Sequence, residues 1–148
     1  MATDKRNDPY RVFRFRVDID GIAVAAFSEA SGLTAEGDPV EYREGTDKEL
    51  HVRKLTGLRK YANVMLKRGK TEGDRAMWVW YTNIANGIDD RRDGTITLMN
   101  EAGKDVMRWH FENAWINKIE NPNLNATGNE VALESVELCH EKLTFELA

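Results

Sequence analysis

Gly69-Lys70-Thr71 is the first place where residue types suggest chemistry, because a phosphate-binding loop ends in such a triplet between a strand and a helix. That loop also needs a glycine five positions before Gly69, so that backbone amides can wrap the phosphates. The residue there is Val64, so the triplet reads as a strand-to-helix turn with Thr71 as the helix cap. His51, His110 and His140 lie far apart and belong to no metal or protease motif. Ser28, Ser31 and Ser135 lack the G-x-S-x-G elbow and a companion base. Asp18, Asp20 and the pair Asp89-Asp90 border turns, which is where solvated carboxylates sit. Cys139 is the sole cysteine, excluding an internal disulfide, and reads as a small buried side chain. Trp78, Trp80, Trp109 and Trp115 have helical and strand spacing, so they read as core or subunit-contact residues before ligand platforms. Asn125-Ala126-Thr127 matches a glycosylation sequon, but the polar stretch from Met1 to Asp8 predicts no secretory leader. No catalytic residue, cofactor site or metal site emerges.

The elements that would position these residues are mostly strands. Phe13, Phe15, Val17 and Ile19 alternate with Arg14, Arg16 and Asp18, a half-buried strand. Asp20-Gly21 then predicts a two-residue hairpin turn, with a return strand over about 22–27. A turn is expected over 28–38, and a short strand over 40–43 that begins beside Pro39. Residues 61–67 read as a strand. A helix over about 72–87 follows, capped by Thr71 with Asp74 three residues on, its apolar face formed by Met77, Trp80, Tyr81, Ile84 and Ile88. Gly87 is placed to end it. After a turn at Asp93-Gly94 come strands over 95–99 and 104–114, the second with Met107, Trp109 and Phe111 opposite Arg108, His110 and Glu112. A final strand over 131–147 changes apolar phase twice, from Val131 and Leu133 to Val136 and Leu138, then to Leu143, Phe145 and Leu147, which implies bulges or a strand whose two faces pass between buried and exposed surroundings. About seven strands and one helix predict a mainly β fold, a small antiparallel barrel or sandwich of two packed sheets.

One stretch resists this scheme. Residues 44–60 are mostly polar and charged, and a loop longer than ~12–15 residues in a compact domain usually has a function. Its candidate contact residues are Glu44, Gly45, Thr46, Asp47 and Lys48, then Glu49, Leu50, His51, Val52 and Arg53. Lys54, Leu55, Gly57 and Lys60 complete the set.

The 148 residues suit one domain, spanning 1–148 with a flexible tail over 1–8. A net charge of −4 argues against sequence-independent nucleic-acid binding, which needs a basic surface. No stretch approaches the ~20 apolar residues of a membrane span, so no membrane anchor is expected and assembly in the cytoplasm is.

Several segments, in order from about Asp8 to Glu141, resemble the tube proteins of contractile phage tails and extracellular contractile injection systems. Asp8-Pro9-Tyr10-Arg11-Val12-Phe13-Arg14-Phe15-Arg16-Val17 with Asp20-Gly21 is similar to that family's start. Phe27-Ser28-Glu29-Ala30-Ser31-Gly32-Leu33 resembles its next signature. Val40-Glu41-Tyr42-Arg43-Glu44-Gly45 and Arg53-Lys54-Leu55 resemble the segments around its long loop. Leu66-Lys67-Arg68-Gly69, Trp78 to Tyr81, Asn113-Ala114-Trp115, Leu124-Asn125-Ala126 and Gly128-Asn129-Glu130-Val131 complete the match. Two features depart from it: Thr56 stands where many relatives have proline, and the tail from Leu143 to Ala148 is more apolar.

The resemblance implies a small β-barrel with a flanking helix, shared with the type VI secretion tube. It implies hexameric rings stacked into a hollow tube inside a contractile sheath, which drives the tube through a target envelope. Baseplate, spike and terminator proteins would begin and end the stack, with cargo or a tape-measure protein in the lumen. No cofactor, no catalysis and no sequence-specific nucleic-acid partner are implied, and the particle would be released from the cell. Residues 44–60 would carry ring-to-ring contact. The alternatives are the tail tube of a contractile phage passing DNA, or a small ligand-binding barrel using the tryptophans.

Overall fold

The alternation that opens the sequence becomes β1 (Phe15–Ile19), whose Val17 and Ile19 are buried. Gly21, at φ 76°, makes the turn into β2 (Ile22–Ala25), because that left-handed conformation carries no Cβ penalty in glycine. The computed structural model describes residues 8–25, 27–46, 48–70 and 75–148; residues 1–7 of the expected tail over 1–8, and the Thr71/Asp74 cap, lie outside them. Phe13 shares the apolar phase yet lies before β1 and is 64% exposed.

Eight further strands and one helix follow. They are β3 (Phe27–Ser31), β4 (Ala35–Tyr42), β5 (Arg53–Tyr61), β6 (Val64–Gly69), α1 (Ala76–Ala85), β7 (Arg92–Met99), β8 (Asp105–Glu120), β9 (Leu133–Cys139) and β10 (Lys142–Leu147). Ten described strands thus replace the expected seven. The turn expected over 28–38 holds most of β3 and the start of β4. The strand expected over 61–67 is divided, because Tyr61 ends β5 and Val64 starts β6. Asp93-Gly94 lies inside β7: a Cβ on Gly94 would sit 2.2 Å from the Phe111 ring, so this glycine makes room in the core and turns nothing.

All pairings are antiparallel. The main sheet runs β2-β1-β7-β8-β9-β6-β3, with β10 added beside β8, while β4 and β5 form a separate two-stranded sheet. This pairing path is open, with β2 and β3 at its two ends, so the expected closed barrel is not found. Strand β8 is the backbone of the arrangement. Up to Ala114 it pairs with β7, its Met107–Glu112 stretch pairs with β10, and from Trp115 it pairs with β9. Asn113 stands at the switch with φ 54°, a bend of the kind that lets one strand serve two sheet directions. Opposite it, His140 and Glu141 separate β9 from β10, which accounts for the second phase change. The first is not a bulge. Leu133 is half-exposed, and Glu134 takes the inward phase shared by Val136 and Leu138.

The core gathers Val17, Ile19, Val64, Leu66, Ile96, Phe111, Ile116, Val136 and Leu138 with Met77 and Trp80 of the helix. Fully burying a side chain of this size contributes about 1.5–3 kcal/mol, which is why α1 stays on β8 although only Met77 and Trp80 of its face are buried. Gly87 (φ 79°) ends the helix as expected, its amide donating to the Ile84 carbonyl. The helix begins later than expected, after Arg75, with no side-chain cap bond. Ile88, assigned to its apolar face, lies past the end and is exposed.

Candidate functional site

The segment expected to be one loop over 44–60 is instead the tip and return strand of an arm. Strands β4 and β5 pair from Ala35↔Tyr61 out to Tyr42↔Arg53, so the true loop is residues 43–52. Arg53, Lys54, Leu55, Gly57 and Lys60 are strand residues. Glu44, Gly45, Thr46, Lys48, Glu49, Leu50, His51 and Val52 form the tip, and Asp47 lies outside the described residues. A register shift beside Pro39 marks a bulge. There a Cβ on Gly57 would lie 1.9 Å from the Asp38 carbonyl oxygen, and the missing proline amide is accommodated. This bulge hid the strand from sequence reading: it breaks the period-2 spacing between Leu55 and Leu58.

The arm is an uncovered ribbon. Among described strands, β4 and β5 pair only with each other. Val40, Leu55 and Leu58 are 49%, 51% and 84% exposed. Val40 and Leu55 are cross-strand partners and so share one face, while Glu41 pairs with Lys54 on the other. The charges are segregated: Glu36, Asp38 and Glu41 on β4 face Arg53, Lys54, Arg59 and Lys60 on β5. Lys60 Nζ sits 3.2 Å from Asp38, which raises the lysine pKa. At the tip Arg43 donates to the Glu49 carbonyl, and His51 Nδ1 lies 3.0 Å from Glu49 Oε2.

A second surface is the charged face of the main sheet. Arg16 lies 3.0 Å from Asp105, Arg108 lies 3.2 Å from Asp105, and His110 bridges Thr95 and Glu146 at 2.8 Å each. The Arg16 and then the Arg108 hydrogen bonds hold the Asp105 carboxyl below the usual carboxylate range, and His110 does the same to Glu146. The outer edges of β2 and β10 carry no partner strand among those described. A third surface is an apolar groove of about 320 Å³ lined by Val12, Phe15, Ala30, Leu33, Leu98 and Trp109, with Glu29 at its rim. Trp78, half-exposed on α1, stacks at 5.6 Å on Tyr81, which packs partly buried against the core.

The chemistry-bearing residues stay apart. His51 is on the arm, His110 on the charged face, and His140 Nε2 lies 2.9 Å from the Ala62 carbonyl oxygen, beside the rings of Tyr61 and Phe111. Among the described residues no three His, Cys, Asp or Glu side chains could hold a metal together. Lys70, of the apparent phosphate triplet, lies 3.3 Å from Glu134. Cys139 is half-buried, and burial raises its thiol pKa. Asp90 departs from its reading as a solvated turn carboxylate. Its side chain accepts from Arg92 and Asn83, its carbonyl accepts from Trp80 Nε1 at 2.7 Å, and the Arg92 guanidinium lies over the Trp80 ring. No described helix is long and apolar enough to cross a membrane.

Residues 11–144 match the family model described as T4-like virus tail tube protein gp19. Among solved structures, the chain is similar to one of the anti-feeding prophage tube terminating cap, with 31% identity, TM-score 0.83 and full coverage of both chains. It is also similar to one of the PVC sheath-tube complex of an extracellular contractile injection system, with 28% identity, TM-score 0.82, and coverage of 96% of this chain and 94% of that one. Hcp1 of Flavobacterium johnsoniae shares the fold at 14% identity and TM-score 0.56, covering 88% and 93%. No curated protein matched.

Proposed function

The chain belongs to the T4-like virus tail tube protein family, and from that premise we propose that it is the inner-tube subunit of a contractile injection particle. Six copies form a ring, rings stack into a hollow tube, and a contracting sheath drives the tube through a target envelope. Relatives described in a sheath-tube complex and a tube terminating cap support sheath and terminator partners; baseplate, spike and luminal cargo or tape-measure proteins are proposed beside them. The role is mechanical and involves no catalysis or cofactor. The particle is assembled inside the cell and released.

The single observation that carries this reading is the arm. A lone two-stranded hairpin is marginal in water, yet this one extends from the body with Val40, Leu55 and Leu58 uncovered. Such a ribbon is stabilised when another copy covers it, and a head-to-tail contact that does not close produces a filament. The edges of β2 and β10 suit pairing between neighbours within the ring. Ring-to-ring contact resides in residues 44–60, now the tip and return strand of the arm.

The test is to delete residues 36–60, joining Ala35 to Tyr61 through a short Gly-Ser turn, and to image particles by electron microscopy. Loss of tubes is expected; unchanged tube length and yield would reject the assignment.

A further inference from the structure

His140 has a carbonyl oxygen against each nitrogen of its ring. Nε2 lies 2.9 Å from the Ala62 oxygen, and Nδ1 lies 3.3 Å from the Lys142 oxygen. A carbonyl only accepts, so each contact is a hydrogen bond only when that ring nitrogen carries a proton. Neutral imidazole has one N–H and the charged ring has two. We propose that His140 is a proton-operated clasp: charged, it ties the root of the arm to the corner between β9 and β10, and on losing its proton it uncouples them.

The two carbonyls come from different parts of the fold. Ala62 directly follows Tyr61, the last residue of β5, and its own amide donates to the Thr34 oxygen just before β4. Ala62 therefore closes the arm through its N–H and reaches the body through its carbonyl. Lys142 opens β10, and His140 with Glu141 forms the corner that separates it from β9. The rings of Tyr61 and Phe111 lie beside the half-buried imidazole, at 5.9 and 6.2 Å between centres.

The charged and titratable groups on the adjoining elements have other partners or positions. Glu141 is held by Arg91 and Asn113, and Glu137 of β9 by Asn63. Glu112 of β8 is the register partner of Lys142 in β10. The Tyr61 phenol belongs to β5, and the Cys139 thiol ends β9. The double donor exists only with the proton bound, and two acceptors fixed by the fold favour that form over the unfolded chain. The clasp is thus closed below about pH 6 and opens as pH rises through and above the ordinary histidine range.

The test is ring-nitrogen NMR on the chain labelled with nitrogen-15 histidine, with His140→Gln assigning the signals. At pH 7 about three-quarters of ordinary histidine is neutral. Protons on both His140 nitrogens in most molecules are expected there, and a ring that is mainly one neutral tautomer would overturn the proposal. Amide hydrogen exchange reads the coupling, because His140→Gln keeps a donor for Ala62 and does not titrate. Protection of the Ala62 and Glu141 amides is expected to be about threefold higher in the parent than in the variant at pH 5.5, the size of one hydrogen bond, and equal in the two at pH 8.5. A parent-to-variant ratio that is the same at both pH values is what a merely structural histidine gives, and would also overturn it. If the variant fails to fold, the ring-nitrogen spectra of the parent still decide. The clasp is a property of one chain, so its refutation leaves the tube assignment standing, and failure of tubes to form leaves the clasp.

Discussion

Arg68 and Glu134 are register partners across β6 and β9, with Nε 3.2 Å from Oε2 and side chains only 6% and 2% exposed. Lys70 reaches the other carboxylate oxygen at 3.3 Å, and the Arg68 guanidinium lies 5.7 Å from the Phe27 ring centre. Removing Glu134 takes away the buried carboxylate that Arg68 and Lys70 share. Glu134→Ala is therefore expected to cost about 3–5 kcal/mol in urea unfolding, whereas the double change Arg68→Met, Glu134→Leu costs far less. Equal losses in the two variants would show that the pair contributes more than charge compensation.

Asp90 links the helix end to β7 through Arg92, Asn83 and Trp80. The Arg92 hydrogen bond holds its pKa below the ordinary carboxylate value. Because the folded pKa is the lower one, the stabilisation is fully present above the unfolded value near 4 and is lost as pH falls through the folded pKa. Asp90→Asn is expected to lose about 1–3 kcal/mol at pH 7 and to show a flatter loss of stability on acidification below about pH 4. Thermal melts from pH 7 down to 2.5 check both.

Asn113 occupies the left-handed region at φ 54° where β8 changes partners, with Nδ2 donating to Glu141 and its amide donating to Asp93. Asn113→Gly removes the Cβ strain and one exposed hydrogen bond, so a change within about 1 kcal/mol is expected. Asn113→Val places a β-branched residue in that conformation and should cost about 2 kcal/mol or more. Chemical denaturation of the two variants separates backbone strain from side-chain bonding.

Thr97 is wholly buried, and its hydroxyl has no hydrogen-bond partner among the described residues. Its register neighbours are Arg16 and Arg108, which belong to the ion network on the charged face. Thr97→Val keeps the shape and removes an unsatisfied polar group, so a gain of about 1 kcal/mol is expected. A loss of stability would reveal a partner for the hydroxyl.

The arm and the body are expected to be energetically separate. Since Ala35 and Tyr61 are cross-strand partners, excising 36–60 leaves ends that a turn can join. The melting temperature should shift by no more than about 4 °C, the size of a ~1 kcal/mol effect, while tubes disappear. A shift well beyond that would make the arm part of the folding unit.

Regular alternation made much of the fold legible. Val17 and Ile19 in β1, the Asp20-Gly21 turn, Trp80 on the helix and Gly87 at its end are where period and turn chemistry place them. The candidate site was half legible. Its position at 44–60 was marked by a long polar stretch, but the bulge at Pro39 and Gly57 concealed that β4 and β5 pair. The groove left no signal, because Val12, Phe15, Leu33, Leu98 and Trp109 come from separate segments.

Local rules therefore determined the mainly β character, the single described helix and the place of the long polar segment at 44–60. All depend on neighbours within a few residues. Tertiary structure decided that Glu134 and Arg68 lie inside, that Asp90 is bonded and not solvated, that β8 serves two sets of partners, and that the arm stands clear of the body. Burial and register are set by strands far apart in the chain, so a charged residue looks the same in sequence whether it meets water or an opposite charge.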